Sequence, residues 1–166
     1  MGSSIREQRR KGAPGMAART AIAAGKGRVL VCDDDAGVRK MIAEALKTKS
    51  IQVETADRAM DAIQKIMRTR YQALILDLKM PGLGGLDTIP IIKRIDETLP
   101  VIVITGHSSY ETERAARAAG VFYYLVKPFA VEELWKAVNA AKRHRKAAKN
   151  RADPGPPPLS SSRKSR

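Results

Sequence analysis

Aromatic side chains, cysteine and long apolar runs are all in short supply in this chain. With two Phe, one Trp and four Tyr, any core must be filled by Ala, Ile, Leu and Val. The single cysteine, Cys32, excludes an internal disulfide framework and suits a reducing, cytoplasmic setting. No apolar run approaches the roughly 20 residues of a membrane-spanning helix. The N-terminus is basic, but no apolar stretch of roughly 7–15 residues follows it, so no secretory signal is expected. Gly25-Lys26-Gly27 lacks the Gly-x-x-x-x-Gly-Lys-Ser/Thr spacing, which excludes a P-loop. No internal repeat is present.

Positive charge, by contrast, is abundant and lies at the ends. The chain has 166 residues and a net charge of +14. Residues 1–27 carry six Lys/Arg against Glu7, and residues 142–166 carry nine against Asp153, so the middle is close to neutral at +1. A near-neutral globule with two basic tails is implied, and the high isoelectric point describes the tails. The composition of residues 1–26 predicts a basic disordered segment. Residues 146–166, with Asp153-Pro-Gly-Pro-Pro-Pro and Ser160-Ser-Ser, predict a basic, Pro/Ser-rich disordered tail. No second folded domain is expected after about residue 146. Nucleic acid contact is expected only through these tails, with strong salt dependence.

Between the tails, strand and helix patterns alternate. Arg28-Val-Leu-Val-Cys32, Ile51 to Thr55, Ala73-Leu-Ile-Leu76, Pro100-Val-Ile-Val-Ile104 and Tyr123-Tyr-Leu-Val126 read as strands. The third and fourth are apolar throughout, as strands buried on both faces are, while the second alternates like an edge strand. Apolar residues recur at helical spacing over 36–49, 59–67 and 131–144. Asp35 or Ala36 opens the first helix, and Asp57 is the expected N-cap of the second. Leu83-Gly84-Gly85-Leu86 reads as a flexible loop before a helix from about Asp87 to Ile95, with Pro90 in its first turn. An Ala-rich helix over 111–119 ends at Gly120. Five strands alternating with five helices predict a doubly wound α/β fold. Its five-stranded parallel sheet takes the order 2-1-3-4-5, as in flavodoxin.

In that order the carboxyl ends of the first and third strands are neighbours. They bring Asp33, Asp34 and Asp77 to one crevice, where the fourth and fifth strands deliver Thr105 and Lys127. Taken singly, each has a plain reading: a helix cap, a surface lysine, a turn threonine. Together they fall at the sheet end where open α/β folds place ligands. Clustered carboxylates repel, and a hard cation resolves the repulsion. Mg²⁺ favours a few carboxylates, water and a phosphate. Lys127 and Thr105 suit a phosphoryl group, and Asp77, flanked by cation and lysine, suits the role of its acceptor.

These residues also carry a resemblance. Val-Cys-Asp33-Asp34-Asp35, Leu-Asp77-Leu-Lys-Met-Pro-Gly, Ile-Thr105-Gly and Tyr124-Leu-Val-Lys127-Pro-Phe resemble the receiver domain of two-component response regulators, the CheY-like fold, over roughly residues 27–145. The resemblance implies Asp77 as the phospho-accepting aspartate. It implies Asp33 and Asp34 as the acidic pair for Mg²⁺, with Asp77 and the backbone carbonyl of Lys79 completing the protein ligands. Thr105 and Lys127 would contact the phosphoryl group, Tyr124 would be the aromatic switch, and the bond before Pro128 would be cis. A sensor histidine kinase or a histidine phosphotransfer protein would be the donor. A downstream protein would read the surface of the fourth helix, fifth strand and fifth helix. Such a chain catalyses its own phosphorylation and dephosphorylation but is not an enzyme acting on a separate substrate. Gly106-His107 and Gly84-Gly85 depart from the family pattern without touching the metal ligands or the acceptor. Gly106 is expected to loosen its loop and alter the lifetime of the phosphorylated state.

Alternatives on the same topology are a phosphorelay intermediate and a regulator contacting nucleic acid through its tails. More distant is a flavodoxin-like cofactor binder, whose phosphate three successive aspartates would repel. A Mg²⁺-dependent phosphatase would want an acid/base aspartate where Lys79 stands.

Overall fold

The computed structural model describes residues 27–152. Five strands, β1 (Arg28–Cys32), β2 (Gln52–Ala56), β3 (Ala73–Asp77), β4 (Val101–Thr105) and β5 (Tyr123–Val126), alternate with five helices. These are α1 (Ala36–Lys47), α2 (Ala59–Arg68), α3 (Gly85–Ile95), α4 (Tyr110–Ala118) and α5 (Val131–Ala152). The strands form one parallel sheet in the order β2-β1-β3-β4-β5, the doubly wound arrangement that the alternation predicts.

Burial follows the sequence pattern. Every residue of β3 and β4 is buried, whereas β2 at the edge is largely open. Successive strand residues point to opposite faces, so each central strand serves two cores. Leu30, Leu74, Leu76 and Val103 face Ala62, Ile63 and Ile66 of α2 and Ile89 and Ile92 of α3. Val31, Ile75, Ile102 and Ile104 face Ile42 and Leu46 of α1 and Leu134, Val138 and Ala141 of α5. Asp35 caps α1, its carboxylate accepting from the N–H groups of Gly37 and Val38 at 2.7 and 3.1 Å. Gly120, at φ 83°, closes α4 in the left-handed conformation that glycine adopts without strain.

Several expectations need correction. β2 begins at Gln52, because the N–H of Ile51 is still bonded to the carbonyl of Leu46 at the end of α1. The N-cap of α2 is Arg58, which makes no side-chain cap bond, and not Asp57. Gly84 and Gly85 are not a free loop: Gly84 is the N-cap of α3 and Gly85 its first residue. Pro90 therefore lies in the second turn, on the exposed side, where its missing N–H leaves the Leu86 carbonyl without an intrahelical donor. The largest difference is α5, which continues to Ala152 instead of ending near His144, so residues 146–152 are helical. The tail segments 1–26 and 153–166 lie outside the described residues.

Candidate functional site

All the singled-out side chains except Tyr124 stand at the carboxyl ends of β1, β3, β4 and β5. Asp33 follows β1 and is fully buried. Its two oxygens are both engaged: one accepts from the Asp35 N–H at 2.9 Å, the other from Lys127 Nζ at 2.8 Å. Its backbone carbonyl accepts from Arg39 of α1 at 2.6 Å. Asp34 is exposed at the mouth of the crevice. Asp77 ends β3, is 4% exposed, and has one buried oxygen, Oδ1, with no hydrogen-bond partner. Lys127 Nζ stands 3.8 Å from that oxygen. One oxygen from each of Asp33, Asp34 and Asp77 lies within 4.8 Å of the others.

Electrostatics follow from this packing. Burial pushes the Asp77 carboxyl above the ordinary carboxylate range; Lys127 pulls it down, Asp33 and Asp34 push it up, and the Lys79 N–H helps to hold it down. A negative charge here is incompletely compensated from within the chain, since Lys127 makes its short contact with Asp33. Cys32, next to Asp33, is no competitor as a ligand or nucleophile. Burial drives its thiol to about 12, and its sulfur lies 3.6 Å from that of Met80 in the core.

The other candidates are placed nearby but are not all joined to the cluster. Thr105 is fully buried at the end of β4, and its hydroxyl donates to the His107 carbonyl at 3.0 Å. Lys127 is fixed by its own N–H, which donates to the Thr105 carbonyl at 2.8 Å, and the following bond to Pro128 is cis. Tyr124 lies on β5 opposite Val103, packed against the α2–α3 side of the core, with its hydroxyl buried and without a partner. The Lys79 side chain is exposed.

Two contributors escaped the reading of the residues. Arg39 anchors the β1 turn from α1, and nothing in its spacing announces this. Gly85 lies so close to the end of β3 that a Cβ there would come 2.5 Å from the Asp77 carbonyl oxygen and 2.6 Å from Leu78 Cα. Only a residue without a Cβ lets α3 start against the acceptor strand; the Gly-Gly pair was the available signal.

The donor set fits a hard divalent cation. It consists of carboxylate oxygens only, close enough to share one ion, and includes a buried oxygen with no hydrogen bond of its own. A flavin phosphate does not fit, because three aspartates face the place where it would sit.

Residues 29–139 match the family model described as the response regulator receiver domain. The chain belongs to that family. The response regulator MprA of Mycobacterium leprae is 36% identical over 119 residues, covering 72% of this chain and 52% of MprA. The chain thus spans about half the length of such curated relatives. A response regulator receiver domain from Clostridium thermocellum superposes with a TM-score of 0.71 at 30% identity, covering 74% of this chain and 99% of that one. The response regulator TrrA of Thermotoga maritima, solved in complex with Mg²⁺-BeF, gives a TM-score of 0.64 at 29% identity, covering 70% and 99%. Phosphorylation-activated regulation is the general function of receiver domains, which are not ordinary enzymes. Among the described residues no helix is long and apolar enough to cross a membrane.

Proposed function

We propose that Asp77 accepts a phosphoryl group from a phosphohistidine and that this modification switches the surface formed by α4, β5 and α5. The observation that carries the reading is the buried Oδ1 of Asp77, which has no hydrogen bond and is ringed by Asp33, Asp34 and Lys127. Asp33, Asp34, Asp77 and the Lys79 carbonyl would hold Mg²⁺, which when bound neutralises charge on the carboxylates and the incoming phosphoryl oxygens.

A carboxylate oxygen of Asp77 attacks phosphorus, the P–N bond to the donor imidazole breaks, and the imidazole leaves and takes up a proton. The product is an acyl phosphate on Asp77. Lys127 supplies a positive charge to the phosphoryl oxygens, and its salt bridge with Asp33 keeps it aimed at the crevice. The new dianion is a stronger acceptor than the His107 carbonyl, so it draws the Thr105 hydroxyl away from that bond. Tyr124, whose hydroxyl has no partner, is the side chain free to respond. The change is read on a face that already exposes Tyr110, Tyr123, Val126 and Val131. The donor is a sensor histidine kinase or a histidine phosphotransfer protein, the reader is a downstream protein, and the setting is the cytoplasm.

Incubation with acetyl phosphate and Mg²⁺, followed by intact mass, tests this reading. A gain of one phosphate that disappears in Asp77→Asn and on chelation supports it. A gain that survives Asp77→Asn sinks it.

A further inference from the structure

The function proposed above does not use the outer half of α5. From Leu134 to the end of the helix there is no acidic residue. Arg145 is buried and spent: it pairs with Asp96, Nη2 to Oδ2 at 2.6 Å and Nη1 to Oδ1 at 3.3 Å. That clasp fixes α5 to the end of α3 just where the helix leaves the globule. Beyond it Lys146, Ala147, Lys149, Asn150 and Arg151 are exposed. Among the described residues none of Lys142, Arg143, Lys146, Lys149 and Arg151 is in an ion pair.

We infer that this projecting helix, from Lys142 to Arg151, binds the phosphate backbone of nucleic acid without regard to sequence. At ~1.5 Å per residue it is about 15 Å long. A duplex carries one phosphate charge per ~1.7 Å of its axis, so the helix lies beside several phosphates at once. Five unpaired cations on a folded helix, mounted by the Asp96–Arg145 clasp, present that charge without first having to order a loose chain.

The same residues argue against other polyanionic partners. A helix lying in a lipid surface needs an apolar face with large side chains, and between Lys142 and Arg151 the only apolar residues are alanines. A protein interface draws its affinity from buried aromatic and aliphatic anchors, which the segment lacks. Phosphate recognition works on charge alone. The segment's one ring, His144, packs against Phe122 with centroids 5.1 Å apart, and lysines and arginines aimed at phosphates do not read base edges, so it carries no sequence preference.

The test is fluorescence anisotropy of the full 166-residue chain with a labelled mixed-sequence duplex between 50 and 200 mM salt. Five phosphate contacts from the helix contribute about −4.5 to the slope of log affinity against log salt, a loss of at least roughly 500-fold over that range. Lys146→Glu/Lys149→Glu/Arg151→Glu leaves the Asp96 clasp intact. It should weaken binding at least tenfold and flatten the slope by about three units, with the Lys→Gln and Arg→Gln triple variant in between. Circular dichroism and the phosphate gain on acetyl phosphate show that both variants fold. Retention of binding by a chain ended after Ala152 supports the assignment. No binding at 50 mM salt overturns it. So does loss of binding on that truncation while the triple variant still binds. Equal competition by poly-glutamate at matched charge, or binding to anionic vesicles in preference to the duplex, overturns the choice of nucleic acid.

Discussion

A buried aspartate and a half-buried one, at opposite ends of the sheet, are treated in opposite ways. Asp96, between α3 and the amino end of β4, meets a two-pronged guanidinium from Arg145 and a hydroxyl from Thr98 at 3.0 Å. Burial works against its charge, yet the hydrogen bonds and charge of Arg145 outweigh burial and hold the carboxyl below its ordinary value. Asp77, at the carboxyl end of β3, is the more deeply buried of the two. Burial there wins over Lys127, and the carboxyl is held above its ordinary value. The amino end of the sheet completes its charge within the chain and acts as a joint. The carboxyl end leaves its charge incomplete, which is what a site for an external cation and a phosphoryl group requires.

The sharpest way to break this comparison is to neutralise each aspartate in turn. Asp77→Asn should abolish phosphate gain from acetyl phosphate entirely, while Asp96→Asn should leave it near the wild-type level, both read by intact mass. Next in size is removal of the partner at the joint. Arg145→Ala leaves Asp96 with its charge unpaired and should cost about 3 kcal/mol in urea unfolding. Gly85→Ala tests the carboxyl end as a packed structure. The new Cβ would collide with backbone at Asp77 and Leu78, and a cost of roughly 1–3 kcal/mol is expected. A change under a few tenths would show that α3 shifts freely.

The smallest effect is the most diagnostic, because its sign reverses between the two ends. With metal chelated, Asp77→Asn should stabilise the protein near neutral pH, whereas Asp96→Asn should destabilise it. The pH dependence follows from linkage. The native Asp77 holds its proton more tightly than the unfolded chain does, so its contribution falls as pH rises from the ordinary value of 3.8 through the raised native value. Asp96 contributes fully above 3.8 and loses its contribution as pH falls through the depressed native value. Asp77→Asn should therefore remove part of the decline on the rising side, and Asp96→Asn part of the loss in acid. Thermal melts between pH 2 and 7 in chelator measure both. Destabilisation by Asp77→Asn would mean that its charge is already matched.

Much of this contrast was legible in the residues, but unevenly. The all-apolar runs of β3 and β4 read as strands covered on both sides, and the strand–helix alternation with right-handed crossovers pointed to the sheet order that places Asp33, Asp77, Thr105 and Lys127 at one end. The joint was invisible because Asp96 and Arg145 are 49 residues apart and neither sits in a local pattern. The end of α5 was misjudged because the apolar stripe stops at Ala141. The Lys, Arg and Ala residues beyond it are strong helix formers without any periodicity. Gly84-Gly85 looked like slack, yet Gly85 is there for a close approach that only the folded chain makes.

The most direct measurement is the position of the phosphoryl group itself. Borohydride reduction of the phosphorylated chain converts an aspartyl phosphate to homoserine, and peptide mass mapping then locates it. The account predicts homoserine at position 77 alone. Homoserine at 33, 34 or 96, or an acid-stable phosphate on a hydroxyl such as that of Thr105, would contradict it.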